Sequence, residues 1–148
     1  MDKFNKIIFV SMDDTSTSPM AEAICKSLVH EEEWDISSRG LVVLFSEPIN
    51  PKVCDMLKNN NISSIKENSQ AFDESEVTPD TLVLVMNARE KNTLLNDYSV
   101  DKDRVYILSE YVDEFSEITD PYGENIAGYE RCYCELIRMV KKLVYKLS

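Results

Sequence analysis

The sequence is poor in the residues that most often build metal and nucleophilic sites. It has one histidine, His30, and its four cysteines, Cys25, Cys54, Cys132 and Cys134, include no Cys-x-x-Cys pair. A zinc site is not expected, and nothing in the composition asks for a metal or another cofactor. Cys132 and Cys134 stand two apart in a helical stretch, so they face different sides, and all four thiols read as structural or incidental. Positive charge is also scarce: 16 basic against 27 acidic residues give a formal net charge of −11. That balance disfavours nucleic acid and anionic membrane surfaces, which need clustered Lys and Arg. No apolar run approaches the roughly 18 residues of a membrane span. The segment Met1 to Lys6 has neither a long apolar region behind it nor a small-residue cleavage site, which argues against a secretory signal. These absences leave a soluble cytoplasmic protein as the expectation, with neither nucleic acid nor membrane as partner.

What is present fits a single domain. The chain has 148 residues, 43% of them hydrophobic, enough for one real core. Lys6 to Val10 reads as a short, β-branched buried strand, and Ser18 to His30 as a helix with Ser18 as cap and Pro19 at its first position. Ile36 to Phe45 holds a second strand, broken near Gly40, with Leu41 to Phe45 as its apolar part. Asn50-Pro51 opens a second helix running to about Asn59. Residues 62–78 are polar and carry no clear pattern. Thr81 to Met86 and Arg104 to Leu108 are further buried strands, with a helix from Ala88 to about Asn96 between them. An acidic loop follows from Glu110 to Tyr122. Glu124 to about Tyr145 is the clearest helix, its apolar residues recurring every three or four positions from Ile126 to Val144. Strands that are apolar throughout and alternate with helices predict an α/β fold: a four-stranded parallel sheet, doubly wound, with helices on both faces.

In such a fold ligands bind beyond the carboxyl ends of the strands, where Ser11 to Thr17 should lie, before a helix amino terminus. The position suits a phosphate. The residues do not: Ser11-Met12-Asp13-Asp14-Thr15-Ser16-Thr17 contains no glycine, lysine, arginine or cysteine.

Ser18-Pro19-Met20-Ala21-Glu22-Ala23, the turn Asp120-Pro121-Tyr122 before the last helix, and Ser37-Ser38-Arg39-Gly40 in the second strand together resemble the low-molecular-weight protein phosphatases. In that family a strand leads into Cys, five residues and Arg, then a Ser-Pro-Met-Ala-Glu-Ala tail. The resemblance covers essentially the whole chain and implies the flavodoxin-like fold of that family. It also implies a reaction: a cysteine thiolate attacks the phosphorus of phosphotyrosine or phosphoarginine, an arginine grips two phosphate oxygens, and the aspartate of the Asp-Pro turn protonates the leaving group.

Carried onto this chain, the nucleophile position is Ser11, the arginine position is Thr17 and the acid is Asp120. Met12, Asp13, Asp14, Thr15, Ser16, Ser18 and Tyr122 complete the implied substrate site. A serine needs a neighbouring base, and Thr17 lacks a charged fork. One carboxylate ~6 Å from a phosphate charge costs roughly 3 kcal/mol at an effective dielectric near 20, so Asp13 and Asp14 are expected to repel phosphate. Thr15 stands where a threonine marks the branch that resembles arginine phosphatases. The expectation is a homologue that has lost catalysis, a pseudophosphatase that binds a phosphoprotein or another protein. The alternative is a residual or metal-assisted phosphatase using Ser11, Asp13 and Asp14 with Asp120 as acid.

Two readings of the acidic loop stay open. Ser11, Asp13, Asp14 and Asp120 could hold a divalent cation. Alternatively, Asp13 or Asp14 folds back onto the loop N–H groups and fills the anion site from within, or is simply solvated, and these two are favoured over the cation. Ser11-Met12-Asp13-Asp14-Thr15 also resembles the Asp-x-Asp-x-Thr motif of haloacid-dehalogenase-type phosphatases. There, however, Ser11 would replace the nucleophilic aspartate, and the Ser-Pro-Met-Ala-Glu-Ala tail is foreign to that family. Tyr129, Tyr133, Trp34 and His30 read as structural.

Overall fold

The computed structural model describes residues 4–148. Residues 1–3, part of the segment read above as lacking a secretory signal, lie outside them. Four strands, β1 (Lys6–Ser11), β2 (Asp35–Gly40), β3 (Thr81–Val85) and β4 (Val105–Ile107), pair in parallel in the order β2-β1-β3-β4. The helices are α1 (Thr17–Leu28), α2 (Pro51–Asn59), α3 (Ala88–Asp97), the single turn α4 (Leu108–Tyr111) and α5 (Ile126–Leu147).

Strand pleating divides the core in two. Ile7 and Phe9 of β1 and Leu82 and Leu84 of β3 pack with α1, α2, α4 and α5. Ile8, Val10, Val83 and Val85 face the other way, onto Leu94 of α3, Phe72 and Leu41. Every residue of β3 is buried, as expected of a strand covered on both faces. The chain leaves β1 toward β2 on one side and finds β3 on the other, so the β1–α1 loop stands at the point where strand order reverses, the usual ligand crevice of an open parallel sheet.

Several expected boundaries move. Helix α1 begins at Thr17, not Ser18, with Ser16 at its cap position, so Pro19 is its third residue. That position is still free of any intrahelical N–H requirement. Strand β2 stops at Gly40, and the expected apolar continuation leaves the sheet: Val42, Leu44 and Phe45 are 52%, 85% and 81% exposed. The cause is a close approach. A Cβ on Gly40 would stand 2.9 Å from the Asp13 carbonyl carbon, so only glycine lets the β1–α1 loop lie against β2. The loop carbonyls then take the next N–H groups: Leu41 N donates to Ser11 O at 3.0 Å and Val42 N to Met12 O at 2.8 Å. The region expected as an acidic loop from Glu110 begins inside α4, and Ile126, expected on the apolar stripe of α5, is half exposed.

Candidate active site

The segment Met12–Ser16 carries the chain from β1 into α1. It is pinned from outside by Gly40 and by Asn50, whose N–H donates to Thr15 O at 3.0 Å. Asn50 also caps α2 through the Lys52 N–H and donates its Nδ2 to the Tyr129 hydroxyl at 2.9 Å. One asparagine thus ties the loop, α2 and α5 together.

Ser11, Asp14, Thr15, Ser16, Thr17 and Ser18 are all buried, Met12 is half-buried, and Asp13 is exposed. The two aspartates therefore do different things. Asp13 turns back on the loop, its Oδ1 accepting from Thr15 N at 3.1 Å. This is an Asx turn, and it occupies one loop N–H with an internal carboxylate. Asp14 takes a left-handed backbone (φ 58°), tolerated by Asp and Asn more than by other non-glycine residues. Its carboxylate points away from the loop's own N–H groups. Oδ1 accepts from Ser18 Oγ at 2.7 Å, and Oδ2 accepts from Lys66 Nζ at 2.6 Å and from Gln70 N at 3.0 Å. Lys66 spends its remaining protons on Ser38 O (2.9 Å) and Ser38 Oγ (3.1 Å), and Ser38 Oγ donates to the buried Glu22 at 2.8 Å.

The expected repulsion between phosphate and two aspartates is thus corrected for one of them. Lys66, from the stretch whose sequence showed no pattern, neutralises Asp14 from beneath. Only Asp13 remains an uncompensated charge of the loop itself.

Ser11 sits at the end of β1 with its Oγ 2.6 Å from Ser18 Oγ and accepting from Asp14 N at 3.1 Å. Ser18 has a single hydroxyl proton and gives it to Asp14, so Ser11 is the donor in the Ser11–Ser18 bond. Thr17, where an anion clamp would stand, is buried as the first residue of α1. The Ser16 hydroxyl is buried without a hydrogen-bond partner among the described residues.

Asp120 makes its own Asx turn, accepting from Tyr122 N at 2.9 Å. Partial burial pushes its carboxyl above the usual range against that N–H, helped by the charges of Asp13 and Glu124. The charge of Asp13 thus reaches Asp120. Tyr122, which the resemblance places in the substrate site, is 76% exposed.

Glu90, which sequence reasoning passed over, also belongs here. It lies at the start of α3, 6% exposed, with Oε1 accepting from Met86 N at 2.9 Å. Burial pushes its carboxyl up to about 7, against the pull of the Met86 and Met12 N–H groups, with Asp120 and Asp13 adding to the rise. The signal was present: Asn87-Ala88-Arg89-Glu90 is a helix-start pattern of cap and third-position acid. Nothing in residues 62–78 singled out Lys66.

Among the described residues no group of three or more His, Cys, Asp or Glu side chains is gathered as a metal site. Nor is any helix long and apolar enough to cross a membrane.

Residues 6–148 match the family model described as low molecular weight phosphotyrosine protein phosphatase. The chain is 33% identical over 138 residues to the low molecular weight protein-tyrosine-phosphatase PtpB of Staphylococcus haemolyticus, covering 93% of this chain and 96% of that one. Among solved structures it is similar to the low molecular weight protein tyrosine phosphatase of T. tengcongensis (TM-score 0.89, 26% identity, 96% and 99% of the two chains). It is also similar to a cysteine-to-serine mutant of the YwlE arginine phosphatase with a phosphorylated active-site serine (TM-score 0.86, 28% identity, 96% and 95% covered).

Proposed function

The chain belongs to the low-molecular-weight protein phosphatase family, and on that premise we propose that it is a pseudophosphatase, a member that no longer turns over phosphomonoesters. The observation that carries this is the pair Ser11 and Thr17, a hydroxyl where the family mechanism needs a thiolate and a neutral side chain where it needs a guanidinium. A serine hydroxyl is a far weaker nucleophile than a cysteine thiolate at neutral pH, and without Arg the dianion loses its bidentate partner. The exposed Asp13 carboxylate adds repulsion at the loop. Asp120 keeps the acid position, and its raised carboxyl pKa suits a proton donor.

The protein then acts by binding, with a protein, phosphorylated or not, as partner. Thr15 and the likeness to an arginine phosphatase favour a phosphoarginine-related ancestry over a phosphotyrosine one. Four free cysteines fit a cytoplasmic location. The test is turnover of p-nitrophenyl phosphate and of phosphoarginine, with and without Mg²⁺ or Mn²⁺. Turnover that Ser11→Ala abolishes overturns the proposal.

A further inference from the structure

We propose that the cavity beside the β1–α1 loop receives an arginine side chain of a partner protein, unphosphorylated and flanked by apolar residues. This rests on the reading of the protein as a binder and names the chemistry of what is bound. The cavity measures about 190 Å³, with Asp13 of the loop and Val42, Leu44, Phe45, Glu47 and Ser69 of other segments in its lining. Its two carboxylates have no cation of their own. Asp13 gives Oδ1 to the Thr15 N–H and keeps Oδ2 free, and Glu47 is exposed. Among the described residues neither belongs to an ion pair. Lys66 and Arg39, which tie β2 to the stretch 66–70, are committed to Asp14 and Glu76. The uncompensated charge of Asp13 is felt by other acids, adding to the rise of the Asp120 and Glu90 carboxyls.

The apolar part of the lining stands in water on an ordered segment. Val42 N donates to Met12 O at 2.8 Å on one side. On the other, Glu47 N donates to Ser69 Oγ at 2.9 Å and Ser69 N to Glu47 O at 2.7 Å. Leu44 and Phe45, both exposed, form the tip between these anchors. Large apolar side chains held outward beside polar groups mark a contact surface, and a segment already ordered loses little entropy when it binds. The occupant follows from the two chemistries together. An anion is repelled by Asp13 and Glu47. A wholly apolar chain desolvates both carboxylates and pairs neither. An arginine answers both, with its aliphatic stem along Val42 and Leu44 and its guanidinium on the carboxylates and against the Phe45 ring. A phosphate on that guanidinium reverses the attraction, and lysine brings the charge without the planar face.

The probe is the tripeptide N-acetyl-Leu-Arg-Leu-amide, titrated into isotope-labelled protein and followed by backbone amide chemical shifts. Shifts should centre on Asp13, on Val42 to Glu47 and on Ser69. The same peptide with citrulline, neutral and nearly isosteric, should bind about tenfold more weakly, and with phosphoarginine more weakly still. Rising salt should weaken the arginine peptide and leave the citrulline peptide unchanged. Asp13→Asn keeps the Thr15 contact and removes only the charge. It and Glu47→Gln should each weaken arginine binding about 3- to 5-fold, and Phe45→Ala by about as much. All three positions are exposed, and circular dichroism melts verify that the variants fold.

No binding of the arginine peptide, shifts confined to another part of the surface, equal affinity for the arginine and citrulline peptides, or tighter binding of the phosphoarginine peptide overturns the proposal. A lysine peptide that binds as tightly as the arginine one overturns the choice of arginine and the role given to Phe45. The turnover assay is separate: hydrolysis of p-nitrophenyl phosphate that Ser11→Ala abolishes overturns the pseudophosphatase reading, whichever peptide binds.

Discussion

Lys66 Nζ lies 2.6 Å from Asp14 Oδ2, an ion pair between residues 52 positions apart that fixes the floor of the β1–α1 loop. Asp14 is fully buried and the Lys66 side chain is 11% exposed, so each charge depends on the other. A buried pair is weak evidence for net stability, but breaking one side leaves an uncompensated charge.

The first prediction follows from that asymmetry. Lys66→Met strands a buried carboxylate and should cost about 3–5 kcal/mol in chemical denaturation. Asp14→Asn should cost less, since Lys66 keeps Ser38 and has some access to water. The double variant should be more stable than Lys66→Met alone. Additive losses in the double-mutant cycle would show that the pair is not coupled.

The second concerns pH. Glu90 has its carboxyl raised by burial from 4.5 to about 7. A raised carboxyl binds its proton more tightly in the folded state, so stability is greatest below the unfolded pKa and falls as pH rises from about 4.5 through about 7. The loss attributable to Glu90 is about 3 kcal/mol across that window. Glu90→Gln should flatten the dependence in urea melts between pH 5 and pH 8. An unchanged slope would place the pH dependence on other groups.

The scaffold was open to sequence reasoning where a physical signal was local. The apolar runs at Ile7–Val10 and Leu82–Val85, the Asn50-Pro51 helix start and the stripe of α5 all depend on nearest neighbours along the chain. Misreadings arose where a distant contact decided. Leu41–Phe45 has strand propensity, but the loop against Gly40 captures its first N–H groups and turns it outward. Ser18 looks like a cap, yet its hydroxyl is drawn to Asp14 and Ser11 inside the helix. The partner that makes Asp14 harmless is Lys66, and no pattern around position 66 betrays it.

The third prediction separates the thiols. Burial pushes Cys25 and Cys132 up to about 12, while Cys134 is exposed and Cys54 half-buried. A disulfide reagent at pH 8 should label Cys134 fast and Cys54 more slowly, with Cys25 and Cys132 reacting only on unfolding. Ser11 carries no thiol, so Ser11→Ala should leave this pattern unchanged. Rapid loss of four thiols in the native state would show the core to be more open than the structure has it.

The fourth prediction weighs nucleophile against clamp. Ser11→Cys restores a thiol at the end of β1, beside the Ser18 hydroxyl and the amino terminus of α1, an environment that favours a thiolate. It does nothing for the phosphate oxygens, because Thr17 offers no positive charge and Asp13 still carries a negative one. Ser11→Cys alone should therefore hydrolyse p-nitrophenyl phosphate at the background rate. Adding Thr17→Arg supplies charge-assisted hydrogen bonds of roughly 1.5–3 kcal/mol each, so the double variant should exceed Ser11→Cys by about 10- to 100-fold in kcat/KM. Asp13→Asn in the double background should raise it further by removing the remaining repulsion. If Ser11→Cys alone matches the double variant, the clamp contributes nothing and the pseudophosphatase reading rests on the nucleophile alone.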